Sequence, residues 1–185
     1  MKSSQLPHKK IRKFSFQEIQ KTKPSVAQAK ESIKTPIFAI LENIRSLHNV
    51  GAIFRTSDGV NLSKLYLCGI TGTPPRNEIA KTALGAEDVV PWEYKEESIS
   101  LIKDLKKQGV KIVAVELCDG ALDYSEAEYD FPVCFVFGHE VEGISEEVIA
   151  ECDMAVQLPM LGLANSLNVA TCYGIIIYDA LKKLK

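Results

Sequence analysis

Five short apolar runs recur along the chain: residues 36–41 (PIFAIL), 64–70 (KLYLCGI), 110–116 (VKIVAVE), 132–138 (PVCFVFG) and 154–159 (MAVQLP). Each is rich in β-branched or aromatic residues and continuously apolar rather than alternating, the pattern of strands buried on both faces. Between them lie stretches with helical character, residues 50–60, 96–108 and 145–151, and the chain closes with an apolar segment over 169–184. Strand and helix patterns in alternation predict an α/β domain with a mainly parallel sheet. The first 35 residues break the pattern. They are polar and basic, with Phe14, Phe16 and Ile19 as their main large apolar residues, and Pro36 opens the first strand-like run. The expected division is a flexible basic arm over 1–35 and a globular body over 36–185, with no internal repeat.

A length of 185 residues suits one compact domain, and 46% hydrophobic with 25% charged residues is an ordinary globular composition. No run approaches the ~20 apolar residues of a membrane span, and the N-terminus lacks the apolar core of a signal peptide, so a cytoplasmic protein is expected. Cys68, Cys118, Cys134, Cys152 and Cys172 form an odd set without a C-x-x-C pair and read as reduced, mostly buried thiols. His8, His48 and His139 have no metal-ligand spacing with them, and no metal is expected. Charge is distributed unevenly. Residues 1–34 hold 9 Lys plus Arg against 2 Asp plus Glu, a net of +7, and the remainder holds 13 against 22, a net of −9. A basic arm ahead of an acidic body fits attachment to a polyanion such as RNA, or a solvated tail.

In open parallel sheets ligands sit beyond the carboxyl ends of the strands, so the turns after the strands hold the candidate chemistry. After the first run, Asn49 precedes a short apolar helix and is placed to cap it, while Arg55 stands among Ala52, Ile53 and Phe54. A guanidinium there needs solvent or an anionic partner, and a phosphate would serve. In the second turn, FVFGHEVEGIS, Gly138 and Gly143 bracket Glu140 and Glu142, which lets the backbone bend tightly and approach a ligand. The two glutamates alternate in an extended segment and point apart, against an acid–base pair. Ser145, Glu146 and Glu147 read as a helix start. The third turn runs through Pro159, Met160 and Gly162 to Ser166, Leu167 and Asn168. Asn168 is placed to cap the last helix, whose negative end suits Lys182, Lys183 and Lys185. His139 and Met160 read as turn and pocket-wall residues. Neither a G-x-G-x-x-G fingerprint nor a P-loop is present, which weighs against a nucleotide-dependent small-molecule enzyme.

Taken in order, NVGAIFR at 49–55, FGHEVEGIS at 137–145 and LPMLGLANSLNV at 158–169 resemble the SpoU, or TrmH, family of RNA ribose methyltransferases. KTALGAEDVVPW at 81–92 extends the likeness, which covers about 36–182. The resemblance implies a doubly wound sheet with a C-terminal trefoil knot, S-adenosylmethionine as cofactor, and a homodimer with its active site at the interface. It implies that Gly138, Leu158 and Leu167, with Phe137, Met160 and Gly143, border the cofactor. Arg55, Asn49, Glu140, Ser166 and Asn168 would be the polar catalytic set. Arg55 is the family's central residue, often proposed as a base, although arginine side chains stay protonated at physiological pH. Orientation of the acceptor and stabilisation of the developing alkoxide are chemically easier roles for it. Asn61 stands where the family usually has Gly, and Asn is the next most tolerant residue for a left-handed helix ending. ATCYG after Asn168 departs from the family's usual small-residue run. RNA is the implied partner, with tRNA favoured over ribosomal RNA and a non-catalytic RNA-binding protein on the same fold as the rival reading.

Overall fold

The computed structural model describes residues 11–184; residues 1–10 and 185, and with them His8 and Lys185, lie outside the described residues. Seven strands form one sheet: β1 (Thr35–Glu42), β2 (Leu62–Cys68), β3 (Trp92–Lys95), β4 (Lys111–Val115), β5 (Leu122–Asp123), β6 (Val133–Phe137) and β7 (Met154–Gln157). Every pairing is parallel and the order is β3-β2-β1-β6-β4-β7-β5. The chain thus builds outward from β1 through β2 to β3 and then places its second half on the other side of β1. The boundary between β1 and β6 is the switch point of the sheet, where loops diverge and leave a crevice.

Side chains alternate across these strands and feed two apolar layers. Ile37, Ala39 and Leu41 of β1, with Val133, Phe135 and Phe137 of β6, pack against α3 (Leu47–Gly59), α4 (Asn77–Ala83) and α7 (Val169–Lys183). Ile40, Cys134, Val136, Ile112 and Ala114 face α5 (Ser98–Lys107) and α6 (Glu146–Glu151). Burial on both faces is why the central runs are continuously apolar. Cys68 and Cys134 are fully inside, and Cys118, Cys152 and Cys172 are partly buried; all five are free thiols.

Strands β3 and β5 escape the hydrophobic pattern because both are edge strands with one neighbour. WEYK is half polar and LD is only two residues long. Helix α4 is a seven-residue element that buries only Ile79 and Ala83. Within the basic arm, α1 (Phe16–Thr22) and α2 (Val26–Glu31) form, each with a complete capping box and no buried residue. The signal lies in SFQE and SVAQ, serine followed three residues later by Glu or Gln.

The structure corrects one local expectation. Asn49 does not cap α3: the helix begins at Leu47, Ser46 caps it, and the Asn49 N–H donates to Ser46 Oγ at 3.3 Å. The Asn49 side chain is thereby free for a tertiary role. Asn168 does cap α7, accepting from Ala170 N (3.0 Å) and Thr171 N (3.3 Å). Ser145 occupies the cap position of α6 without a side-chain bond. Asn61 has φ +52°, as a left-handed ending requires, and its amide also receives Lys34 Nζ (2.8 Å) and donates to Ile33 O (2.7 Å), fastening the arm where it enters β1.

Helices α3 and α7 are tied within the core by Ser57 and Tyr173. Their hydroxyls lie 2.6 Å apart, and Ser57 also donates to Ile53 O at 2.8 Å. Burial pushes the Tyr173 phenol well above its ordinary range. Tyr173→Phe leaves Ser57 its bond to Ile53, so urea denaturation should show a loss of about 1 kcal/mol. Tyr173→Ala should cost about 3–5 kcal/mol by opening a cavity.

Candidate active site

The site begins with the turn after β1. Asn43 adopts φ +58°, which lets the chain reverse directly beyond the strand. Thr71, buried in the loop after β2, then fixes the turn, its Oγ1 receiving Ile44 N at 2.9 Å and donating to Leu41 O at 2.9 Å. This positions Arg45 and Ser46 with their N–H groups pointing toward β6. Glu140, from the turn after β6, accepts both: Oε2 from Arg45 N and Oε1 from Ser46 N, each at 3.0 Å. Oε1 also accepts from Asn49 Nδ2 at 3.0 Å, and Asn49 Oδ1 in turn accepts from Asn168 Nδ2 at 3.1 Å. One hydrogen-bonded chain therefore joins the ends of β1 and β6 to the start of α7. Burial pushes the Glu140 carboxyl up, but the backbone N–H bonds from Arg45 and Ser46 and the Asn49 amide outweigh it and hold the group below its ordinary value.

The turn carrying Glu140 is itself tightly closed. His139 and Gly143 exchange backbone bonds at 3.0 and 2.9 Å, and His139 Nδ1 accepts from Val141 N and Glu142 N, both at 3.1 Å. A Cβ at Gly138 would run into the Gly143 carbonyl group and Ile144 N. Gly143 has φ +71°, and a Cβ there would meet the Glu116 carboxylate. Glu116, just beyond β4, accepts from Ile144 N and Leu117 N, both at 2.9 Å, and so braces the returning end of the turn.

These turns enclose a cavity of about 380 Å³ at the carboxyl ends of β4, β6 and β7. Gly138, Leu158, Leu167, Phe137, Met160 and Gly143 all line it, as do Glu140, Ser166 and Asn168. Phe137 is almost wholly buried and forms the floor. A second cavity, a shallow and open depression of the surface, adjoins the first, shares Glu140 and Val141 with it and is otherwise lined by Arg45, Ser46 and Asn49. Arg55 lines neither. It is exposed on α3, six residues beyond Asn49, which places it about 9 Å further along the axis and on another face. It makes no hydrogen bond or ion pair among the described residues. Ser166 likewise makes no hydrogen bond there.

Sequence reasoning missed Arg45, Ser46, Glu116 and Cys172. Glu116 carried a faint signal as the acid ending a buried strand run, and Ser46 as a cap three residues before Asn49. Cys172 faces the cavity from the first turns of α7, and burial, then Glu116, pushes its thiol up to about 12, so it behaves as an apolar wall group at neutral pH. Among the described residues no cluster of three or more His, Cys, Asp or Glu could hold a metal ion, and no helix is long and apolar enough to cross a membrane. The cavity lies within the usual range of roughly 300–1,000 Å³ for small-molecule pockets and combines apolar walls with a few fixed polar groups. Glycine at 138 and 143 is required by the packing of the turn itself, because atoms of Gly143, Ile144 and Glu116 fill the space a Cβ would take.

A family model described as the SpoU rRNA Methylase family matches residues 36–178. The tRNA (guanosine(18)-2'-O)-methyltransferase of Escherichia coli K12 is 34% identical over 140 residues, which is 76% of this chain and 60% of that protein. The chain thus spans less than two thirds of that relative's length. The protein of the same description from Thermus thermophilus is 34% identical over 142 residues, 76% of this chain and 72% of the relative. Among solved structures, the Aquifex aeolicus TrmH/SpoU tRNA modifying enzyme superposes with a TM-score of 0.77 at 27% identity, covering 90% of this chain and 82% of the other. An AdoMet-bound rRNA methyltransferase from Sinorhizobium meliloti gives a TM-score of 0.77 at 28% identity, over 83% and 58%.

The depressed Glu140 carboxyl makes the tie between the turns pH-dependent. Its stabilisation is complete above the unfolded value of about 4.3 and is lost as pH falls through the lower folded value. Glu140→Gln should be less stable than wild type at pH 7, and the difference should shrink steadily below about pH 4 in denaturant melts. A constant difference down to the acid limit would show that the carboxylate charge is not what holds the turns.

Proposed function

The chain belongs to the SpoU rRNA Methylase family, and on that premise we propose that it transfers a methyl group from S-adenosylmethionine to a ribose 2′-hydroxyl of RNA, with tRNA favoured over ribosomal RNA. The observation that carries the reading is the Glu140–Asn49–Asn168 chain, in which Asn49 of the first motif bridges two residues, from the second and third motifs, that line one cavity. The curated relatives described as tRNA 2'-O-methyltransferases support both the reaction and the substrate class, and the AdoMet-bound neighbour supports the cofactor.

When bound, S-adenosylmethionine would supply a methyl group on a positively charged sulfur. The residues present fit it. Gly138 and Gly143 would present backbone groups that no side chain obstructs, and Leu158, Leu167 and Met160 would cover apolar surface above the buried Phe137. Glu140 would hold the two turns at fixed separation, and Asn49 and Asn168 would set the polar side of the cavity. Ser166, free of other bonds, would be available to the substrate or to Arg55.

Arg55 would orient the acceptor and stabilise the alkoxide as it forms, a role that uses the standing charge of a guanidinium. Its position outside both cavities of its own chain supports a homodimer in which a second copy delivers it to an interface site. The exposed Tyr178 on α7, beside α3, supports the same face for pairing. The reading also includes a C-terminal trefoil knot, which the family resemblance implies. Residues 1–35 would serve as a basic RNA-binding arm ahead of the methyltransferase body, with binding that weakens steeply as salt rises.

The deciding experiment is transfer of labelled methyl from S-adenosylmethionine to RNA lacking its native modification, followed by nucleoside analysis. A 2′-O-methylated nucleoside should appear, and Arg55→Ala should abolish it while leaving cofactor affinity within about twofold by calorimetry. Cofactor binding without transfer to any RNA would instead favour a non-catalytic RNA-binding role. Deleting residues 1–34 should reduce RNA affinity and flatten its salt dependence; an unchanged salt slope would remove the arm from RNA binding.

A further inference from the structure

The second cavity, lined by Arg45, Ser46, Asn49, Glu140 and Val141, lies beside the one assigned to the cofactor and contains none of the apolar residues that line it except Val141. Its polar groups are mostly spoken for. Glu140 takes the N–H groups of Arg45 and Ser46 and the amide of Asn49, so a negative charge of the chain itself already sits beside the start of α3. Asn49 is engaged at both amide atoms. The exception is the Arg45 guanidinium. Its backbone is fixed by Glu140, its side chain is exposed at the cavity, and it donates to no acceptor among the described residues. A guanidinium presents five donors in a planar fork matched to two oxygens of a phosphate.

Position narrows the choice of anion. The two cavities share Glu140 and Val141, so a group in the second lies one turn of backbone from the cofactor wall. Methyl transfer needs the acceptor oxygen about 3–3.5 Å from the methyl carbon, which requires an acceptor space directly adjoining the cofactor space. In a ribonucleotide, the carbon bearing the 2′-hydroxyl is bonded to the carbon bearing the 3′-phosphate. A cation gripping that phosphate therefore fixes the acceptor oxygen within a few bonds. Arg55 lines neither cavity, which leaves Arg45 as the cation of this chain at the acceptor side.

Resting on the methyltransferase reading, we propose that the second cavity is the acceptor-nucleotide subsite and that Arg45 holds the phosphate on the 3′ side of the ribose to be methylated. The full-length protein loaded with S-adenosylhomocysteine is titrated by NMR with the four ribonucleoside 3′-monophosphates and, separately, with their 5′ isomers. At least one 3′-monophosphate should shift the Arg45 Nε–H and the Asn49 side-chain amide and bind about tenfold more tightly than its 5′ isomer, a preference lost in Arg45→Ala. In transfer assays, Arg45→Ala should raise KM for RNA about tenfold with cofactor affinity unchanged, and Arg45→Lys should recover part of it. Failure of every 3′-monophosphate to perturb Arg45, or an unchanged KM in Arg45→Ala, would overturn the assignment while wild-type transfer persists. Absence of methyl transfer by wild type on any RNA would instead remove the methyltransferase reading, and this subsite with it.

Discussion

The carboxylate of Glu140 bonded to the N–H groups of Arg45 and Ser46 is the contact on which the site depends. Strands β1 and β6 are neighbours in space and nearly a hundred residues apart in sequence, and beyond their ends the two turns are free to diverge. Glu140 closes that gap with three hydrogen bonds to one partly buried anion. Because two of its donors are backbone groups, the tie requires the turn after β1 to have one particular shape. Thr71 and the left-handed Asn43 give it that shape from below. Asn49 then extends the tie to Asn168, and the cap of α7 becomes part of the same chain.

Rigid elements support every link of this chain. The turn after β6 is closed on itself by His139 and Gly143 and braced from β4 by Glu116, so its glycines cannot be exchanged for larger residues without displacing backbone or a carboxylate. Helices α3 and α7 leave the site side by side, joined in the core by the Ser57–Tyr173 pair. The apolar cavity and the polar notch beside it therefore keep a common wall, residues 140 and 141. The exposed Arg55 stands apart from this wall.

The strands at the centre were legible because burial on both faces demands continuous apolar runs, and β1, β2, β4, β6 and β7 all carry them. The edge strands β3 and β5 were not, since one neighbour and one solvated edge impose no such demand. Helices α1 and α2 were marked only by capping boxes, a local signal that hydrophobic periodicity does not register. Residues 137–143 and 158–168 were legible as site-forming turns through their glycines and their place after strands. Arg45 and Glu116 were not, because their importance comes from what lies opposite them.

By itself the sequence determined the alternation of strands and helices, the break near residue 35, the charge asymmetry, and the identity of the three turns that end at the cavity. Those features are local: they follow from side-chain volume, backbone preference and the order of residues along a few turns. Tertiary structure alone decided that Ser46 rather than Asn49 caps α3, that the Asn49 amide bridges Glu140 and Asn168, and that Arg55 faces away from both cavities. A cap needs only the amide oxygen, and Asn168 caps α7 through Oδ1 while its Nδ2 reaches Asn49; what Asn49 itself meets is decided by a carboxylate that arrives from a strand nearly a hundred residues away and takes its Nδ2.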